Sequence, residues 1–72
     1  DLSGFLLSPK PGLLMSVAVA AGDEVKAGQE LAVIEAMKME NVLRAERDQT
    51  VKEVLASAGE SLAVDQKILA FE

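Results

Sequence analysis

Apolar residues along this chain come in short runs separated by turn-forming residues. The runs cover positions 5–8, 13–19, 31–35, 41–45, 50–56 and 68–72, lengths that suit strands rather than helices. Between them stand Pro9-Lys10-Pro11-Gly12, Ala21-Gly22-Asp23, Ala27-Gly28-Gln29, Arg47-Asp48-Gln49 and Ala58-Gly59-Glu60, all turn signals. Residues 33–40 contain Ala, Met, Lys and Glu, which favour helix. Between flanking strands that stretch is too short for a stable helix, and it reads as a hairpin.

An internal repeat organises these runs. Shifted by 37 residues, the chain overlays on itself without a gap, residues 2–35 on 39–72. Leu6 meets Leu43, Val17 meets Val54, Ala21-Gly22 meets Ala58-Gly59, Gln29 meets Gln66 and Glu35 meets Glu72. Only Ala36, Met37 and Lys38 lie between the copies. The shared positions include a turn glycine and candidate core residues, which makes the pattern stronger than its number of identities. Leu14, Val17, Val19, Val25, Leu31 and Ile34, with their mates Val51, Val54, Ala56, Leu62, Ile68 and Phe71, are expected to line one core. The step from 14 to 17 breaks strict alternation, so a bulge is expected at Met15-Ser16 and again at Lys52-Glu53. The expectation is an all-β fold: a pseudo-two-fold arrangement of two short antiparallel sheets. One end would hold the hairpin around Met37-Lys38, and the other residues 1–3 and Glu72.

Composition narrows the chemistry. The chain has 72 residues and reads as a single domain over 1–72. It lacks Cys, His, Tyr and Trp, so a nucleophile–base pair or a common metal site is hard to assemble. No metal site and no catalytic residue are expected. A formal net charge of −5 opposes nucleic acid and anionic membranes as partners. The start, Asp1-Leu2-Ser3-Gly4, lacks an initiator Met and does not read as a signal peptide. The chain is therefore expected to be part of a longer protein, and zero Cys fits a reducing compartment.

The segment Glu35-Ala36-Met37-Lys38-Met39-Glu40 stands out. It joins two expected strands with no Gly, Pro or Asn to ease the turn. Two Met flank a Lys where exposure is expected, and an exposed flexible apolar pair packs against or recognises something. A primary amine at a hairpin tip is open to acylation. The competing readings are an ordinary solvated lysine for Lys38 and core filling for Met37 and Met39. Glu35 and Glu40 read as solvated strand-end charges.

Ala36-Met37-Lys38-Met39 resembles the A-M-K-M signature of the biotinyl domain family. Pro9-Lys10-Pro11-Gly12 is similar to its P-x-P-G turn, Gly22-Asp23-Glu24-Val25 to its G-D-x-V element, and Gly28-Gln29-Glu30-Leu31 to its G-Q-x-L element. Residues 40–45 look most like the biotin-bearing α subunits of propionyl-CoA carboxylases. The resemblance implies a flattened β-barrel, or barrel-sandwich hybrid, of the thumbless type, since residues 20–31 leave no room for an insertion. It implies covalent biotin on Lys38, with Ala36, Met37 and Met39 framing it, attached by a biotin protein ligase. It implies a C-terminal carrier domain that shuttles carboxybiotin from a biotin carboxylase to a carboxyltransferase acting on an acyl-CoA, propionyl-CoA first. The compartment would be a bacterial cytoplasm or a mitochondrial matrix. Lys10 replaces the apolar residue common between the two prolines, which bears on contact between that turn and the hairpin. A lipoyl carrier of an oxoacid dehydrogenase or of glycine cleavage would share the fold, but its lysine typically follows an acidic or small polar residue and precedes Ala. An unmodified barrel-sandwich module, as in membrane-fusion proteins, is the third reading.

Overall fold

The computed structural model describes residues 4–72. The expected end segment 1–3 lies outside the described residues. The elements run β1 (Phe5–Leu7), β2 (Gly12–Val17), β3 (Glu24–Val25), β4 (Glu30–Ala36), β5 (Met39–Arg44), β6 (Gln49–Val54), β7 (Ser61–Leu62) and β8 (Lys67–Phe71). They form two four-stranded sheets, ordered β1-β8-β6-β3 and β5-β4-β2-β7, with every pairing antiparallel.

The repeat is visible in the topology. The shift of 37 residues takes β1 to the end of β5, β2 to β6, β3 to β7 and β4 to β8. It therefore converts one sheet order into the other. The halves are interleaved: each sheet takes two strands from the first copy and two from the second. The turns repeat as well. Ala20 N–H donates to Asp23 Oδ2, and its mate Ser57 N–H to Glu60 Oε1. Lys26 N–H donates to Gln29 Oε1, and Ala63 N–H to Gln66 Oε1. This explains why Gln29 and Gln66 are identical: each side-chain carbonyl closes a turn over a backbone donor that strand pairing leaves free.

Both expected bulges are present. Opposite Ile34 and Val33, β2 advances from Leu14 to Ser16, so Met15 is the extra residue. In β6 the same happens at Lys52. A second pair was not expected. Glu30 and Ala32 face adjacent partners, making Leu31 extra, and its mate Ile68 is extra in β8. A bulge turns two neighbouring side chains to the same face. Leu31 and Ala32 are consequently both buried, as are Ile68 and Leu69.

The core follows. Of the twelve expected positions, Leu14, Val25, Leu31, Ile34, Val51, Ala56, Leu62 and Ile68 are buried. Val17, Val19, Val54 and Phe71 are half-buried and pack against that cluster. Ala32, Leu69 and Ala45 join it unexpectedly. Strands β3 and β7 were also not anticipated, because two residues are too few for a periodic signal. Strand β3 interrupts the expected straight run over 20–31, yet before β4 begins at Glu30 that segment holds only this short strand and two turns.

One turn differs between the copies in a way that matters. Gly28, with φ of 87°, gives its N–H to Ala45 O; its mate Asp65, with φ of 65°, gives its N–H to Ser8 O. The left-handed conformation costs an ordinary residue about 1–2 kcal/mol, aspartate less and glycine almost nothing. Asp65→Gly is therefore expected to raise stability by about 0.5–1 kcal/mol, read as a melting temperature higher by about 4 °C. An unchanged or lower melting temperature would show that Asp65 is relaxed there. At the facing turn, Asp48 Oδ1 accepts from Ala27 N–H at 2.9 Å, and Oδ2 lies 3.6 Å from Lys26 Nζ. The Ala27 amide first, and the Lys26 ammonium second, hold the Asp48 carboxyl below the ordinary carboxylate range.

Candidate functional site

The hairpin tip is built from the bottom. Strand β4 is hydrogen-bonded on both sides, to β2 and to β5. Its inward side chains, Ile34 and Ala36, are buried. Pairing with β5 continues through Glu35↔Glu40 to Ala36↔Met39, so the turn is left with two residues, Met37 and Lys38. Both have positive φ, 54° and 66°. Two positive values in a two-residue loop are what a type I′ hairpin turn demands, and its natural occupants are Asn and Gly. Met and Lys adopt this conformation at about 1–2 kcal/mol each. Burying one large aliphatic side chain such as Ile34 is worth about 2 kcal/mol, and the paired strands below the turn hold several. The scaffold therefore imposes a turn that Met37 and Lys38 would not adopt alone.

The base of the hairpin is held from β2. A Cβ on Gly12 would stand 2.6 Å from the Glu35 carbonyl oxygen and 3.2 Å from Ala36 Cβ. Here glycine is required for room: β2 approaches β4 too closely for any side chain. The Pro-Lys-Pro turn that delivers Gly12 is itself fixed by Ser8, a fully buried hydroxyl donating to Lys10 O at 2.7 Å. So the P-x-P-G turn does meet the hairpin, through Gly12, and Lys10 points to solvent without disturbing that contact. Ser8 was not singled out from sequence; a lone Ser beside a turn carries no periodic signal.

The expected site residues divide into two groups. Met37 is 84% exposed and Met39 is 67% exposed, and Lys38 between them is exposed too. Core filling is ruled out for both methionines. Ala36, expected to frame the modified lysine, is instead buried at 4% exposure and packs at the hairpin's foot. Its smallness lets β2 approach closely at Gly12. Asn41 Nδ2 donates to Met39 O at 3.2 Å, tying down the strand that leaves the tip. Glu35 and Glu40 are paired across the strands and solvated, as expected of strand-end charges.

Chemically, the arrangement offers one exposed primary amine at a hairpin tip, with two exposed thioethers beside it and the solvated carboxylates of Glu35 and Glu40 further down the hairpin. Among the described residues no group of three or more acidic side chains could hold a metal ion. Such a tip can carry a group.

Comparison with known proteins agrees with this geometry. The chain is 57% identical over its full length to the propionyl-CoA carboxylase alpha chain of Ruegeria pomeroyi, and spans 11% of that relative's length. Among solved structures it superposes on a single-chain, multi-domain long-chain acyl-CoA carboxylase with a TM-score of 0.88 at 32% identity, covering 96% of this chain and 7% of that one. The lipoyl domain of the 2-oxoglutarate dehydrogenase complex from Azotobacter vinelandii superposes with a TM-score of 0.77 at 20% identity, covering 94% of this chain and 86% of that one. That last likeness is one of fold, and it identifies the two interleaved sheets as the architecture shared by biotinyl and lipoyl domains. The family described as "Biotin-requiring enzyme" matches residues 6–71, and with nearly every described residue inside that match the chain belongs to this biotin/lipoyl family.

Proposed function

We propose that this chain is the biotin carrier domain of a longer biotin-dependent acyl-CoA carboxylase, with biotin joined through an amide to Lys38 Nζ. The observation that carries the reading is the exposed Lys38 on a strained two-residue turn between two exposed methionines. A lysine kept for solubility needs neither that conformation nor that apolar frame. Bound there, biotin would supply the ring nitrogen that holds carbon dioxide between two active sites. The domain supplies position. The rigid hairpin fixes the base of the arm, the lysine side chain gives it reach, and the tether to the parent protein replaces diffusion with a high local concentration. Amide formation also removes the Lys38 charge.

The partners this reading implies are a biotin protein ligase, a biotin carboxylase and a carboxyltransferase. The likeness to a propionyl-CoA carboxylase alpha chain makes propionyl-CoA the first acyl acceptor to test. The compartment implied is a bacterial cytoplasm or a mitochondrial matrix. Methionine on both sides of Lys38 favours biotin over lipoate on the shared fold.

The test is intact mass after incubation with biotin, ATP and a biotin protein ligase, beside a parallel incubation with lipoate and a lipoate ligase. One added biotin and no lipoyl group is expected. A folded chain that stays at its starting mass with biotin and gains a lipoyl group would replace this reading with a lipoyl carrier.

A further inference from the structure

We propose that Met37 and Met39 form a second modification site on the tip, where oxidation by a peroxide closes Lys38 to the enzyme that loads it. The inference rests on the biotin-carrier reading above and adds a control on it.

The composition makes the site selective. With Cys, His, Tyr and Trp all absent, the three methionines are the only readily oxidised side chains in the chain. Two of the three flank Lys38. Accessibility orders them: Met37 at 84% and Met39 at 67% stand free in solvent, while Met15, at the β2 bulge, is 41% exposed. Thioether oxidation follows exposure, so peroxide is drawn to the tip before it reaches the body of the fold.

The step balances without help from the protein. A sulfur lone pair attacks one oxygen of hydrogen peroxide and the O–O bond breaks. The sulfur gains an S=O bond and is oxidised by two electrons; the peroxide is reduced and leaves as water. Nothing in the core changes, because neither side chain packs there. What changes is the surface a partner must cover. A flexible apolar side chain becomes a polar one with a strong acceptor oxygen. An enzyme that closes on the Lys38 amine must bury both flanking groups, and an acceptor buried without a donor weakens that contact by about tenfold or more. Sulfoxide reduction restores the thioether, so the block is reversible.

The experiment treats the 72-residue chain with hydrogen peroxide, removes the oxidant, and then measures biotin loading with ligase, biotin and ATP by intact mass. Peptide mapping is expected to find oxygen on Met37 first, then Met39, and on Met15 last. The melting temperature should stay near that of untreated protein, while loading kcat/KM falls by about tenfold or more. Methionine sulfoxide reductases should restore it. A Met15→Leu variant should lose loading on oxidation as wild type does, and a Met37→Leu/Met39→Leu variant should show the same loading rate before and after peroxide, whatever that rate is. Unchanged loading by protein oxidised at both tip methionines overturns the proposal, as does loss of loading that tracks Met15. If the leucine pair itself loads poorly, the wild type decides: failure of the reductases to restore loading overturns the proposal. Absence of loading in untreated wild type would remove the biotin reading itself, and this inference with it.

Discussion

Lys38→Arg is expected to abolish biotin loading and leave the melting temperature of the domain within a few degrees of wild type. Acylation needs a nitrogen that can shed its proton and present a lone pair. The guanidinium keeps its proton at any accessible pH, and its electrons are delocalised over the fork. Arginine preserves the length and charge of the side chain and meets the same left-handed turn at similar cost, so the fold has no reason to change. Exposure at the tip means no core contact is lost. Six other basic residues remain by composition, the chain having seven Lys and Arg in all. Lys10, Lys26, Lys52 and Lys67 among them are exposed lysines. Intact mass therefore tests position as well as chemistry. Residual loading of the Lys38→Arg variant at a wild-type rate would mean that one of these other amines is the acceptor, and would move the site away from the hairpin.

Gly12→Ala is expected to carry the largest stability cost of any small substitution near the tip. The added methyl would stand 2.6 Å from the Glu35 carbonyl and 3.2 Å from Ala36 Cβ. Backbone carbonyls do not swing aside as side-chain ends do. Relief requires β2 and β4 to separate, at the point where β2 also pairs with β7 through Gly12↔Leu62. Overpacking of this kind costs about 2–3 kcal/mol, in a domain whose whole stability is on the order of 4–10 kcal/mol. A melting temperature lower by roughly 10–20 °C should follow. The strain enters at the base of the hairpin, so biotin loading at a temperature where the variant is folded should also fall. A melting temperature within about 3 °C of wild type would show that the strands part easily there.

The sequence carried the plan of this fold because the plan is repeated in it. The matched turn residues at 22 and 59 and at 29 and 66, with matched apolar positions between them, announced two equivalent halves, and the irregular step from 14 to 17 announced a bulge. What stayed hidden has no local signal. The bulges at Leu31 and Ile68 sit inside apolar runs, where an extra inward residue looks the same as an ordinary one. Two-residue strands such as Glu24–Val25 exist only because a partner strand passes by. The tip lysine was legible from its two neighbours. The inward facing of Ala36 was not legible, because adjacency in sequence does not report facing. Paired with Met39 yet buried, it belongs to the interior side of β4. Gly12 was legible as part of a turn, while its contact with the hairpin depends on strands brought together from distant positions.

The interleaving of the two halves has a consequence for what each part of the chain is free to do. Strands β1, β3 and their mates pair only across the halves, β1 with β8, β3 with β6 and β7 with β2. Neither copy has a closed sheet of its own. Each presents to the other the same set of edges that it receives, the relation found between the subunits of an isologous two-fold dimer. Such a molecule is in effect a dimer covalently joined at one point, and the joint is the segment that has no counterpart in the repeat. Residues in the duplicated halves answer to two roles at once, their own and the mirrored one across the axis. Met37 and Lys38 answer to one. The scaffold's symmetry leaves a single address on an otherwise duplicated surface, and the exposed Lys38 amine stands at that address.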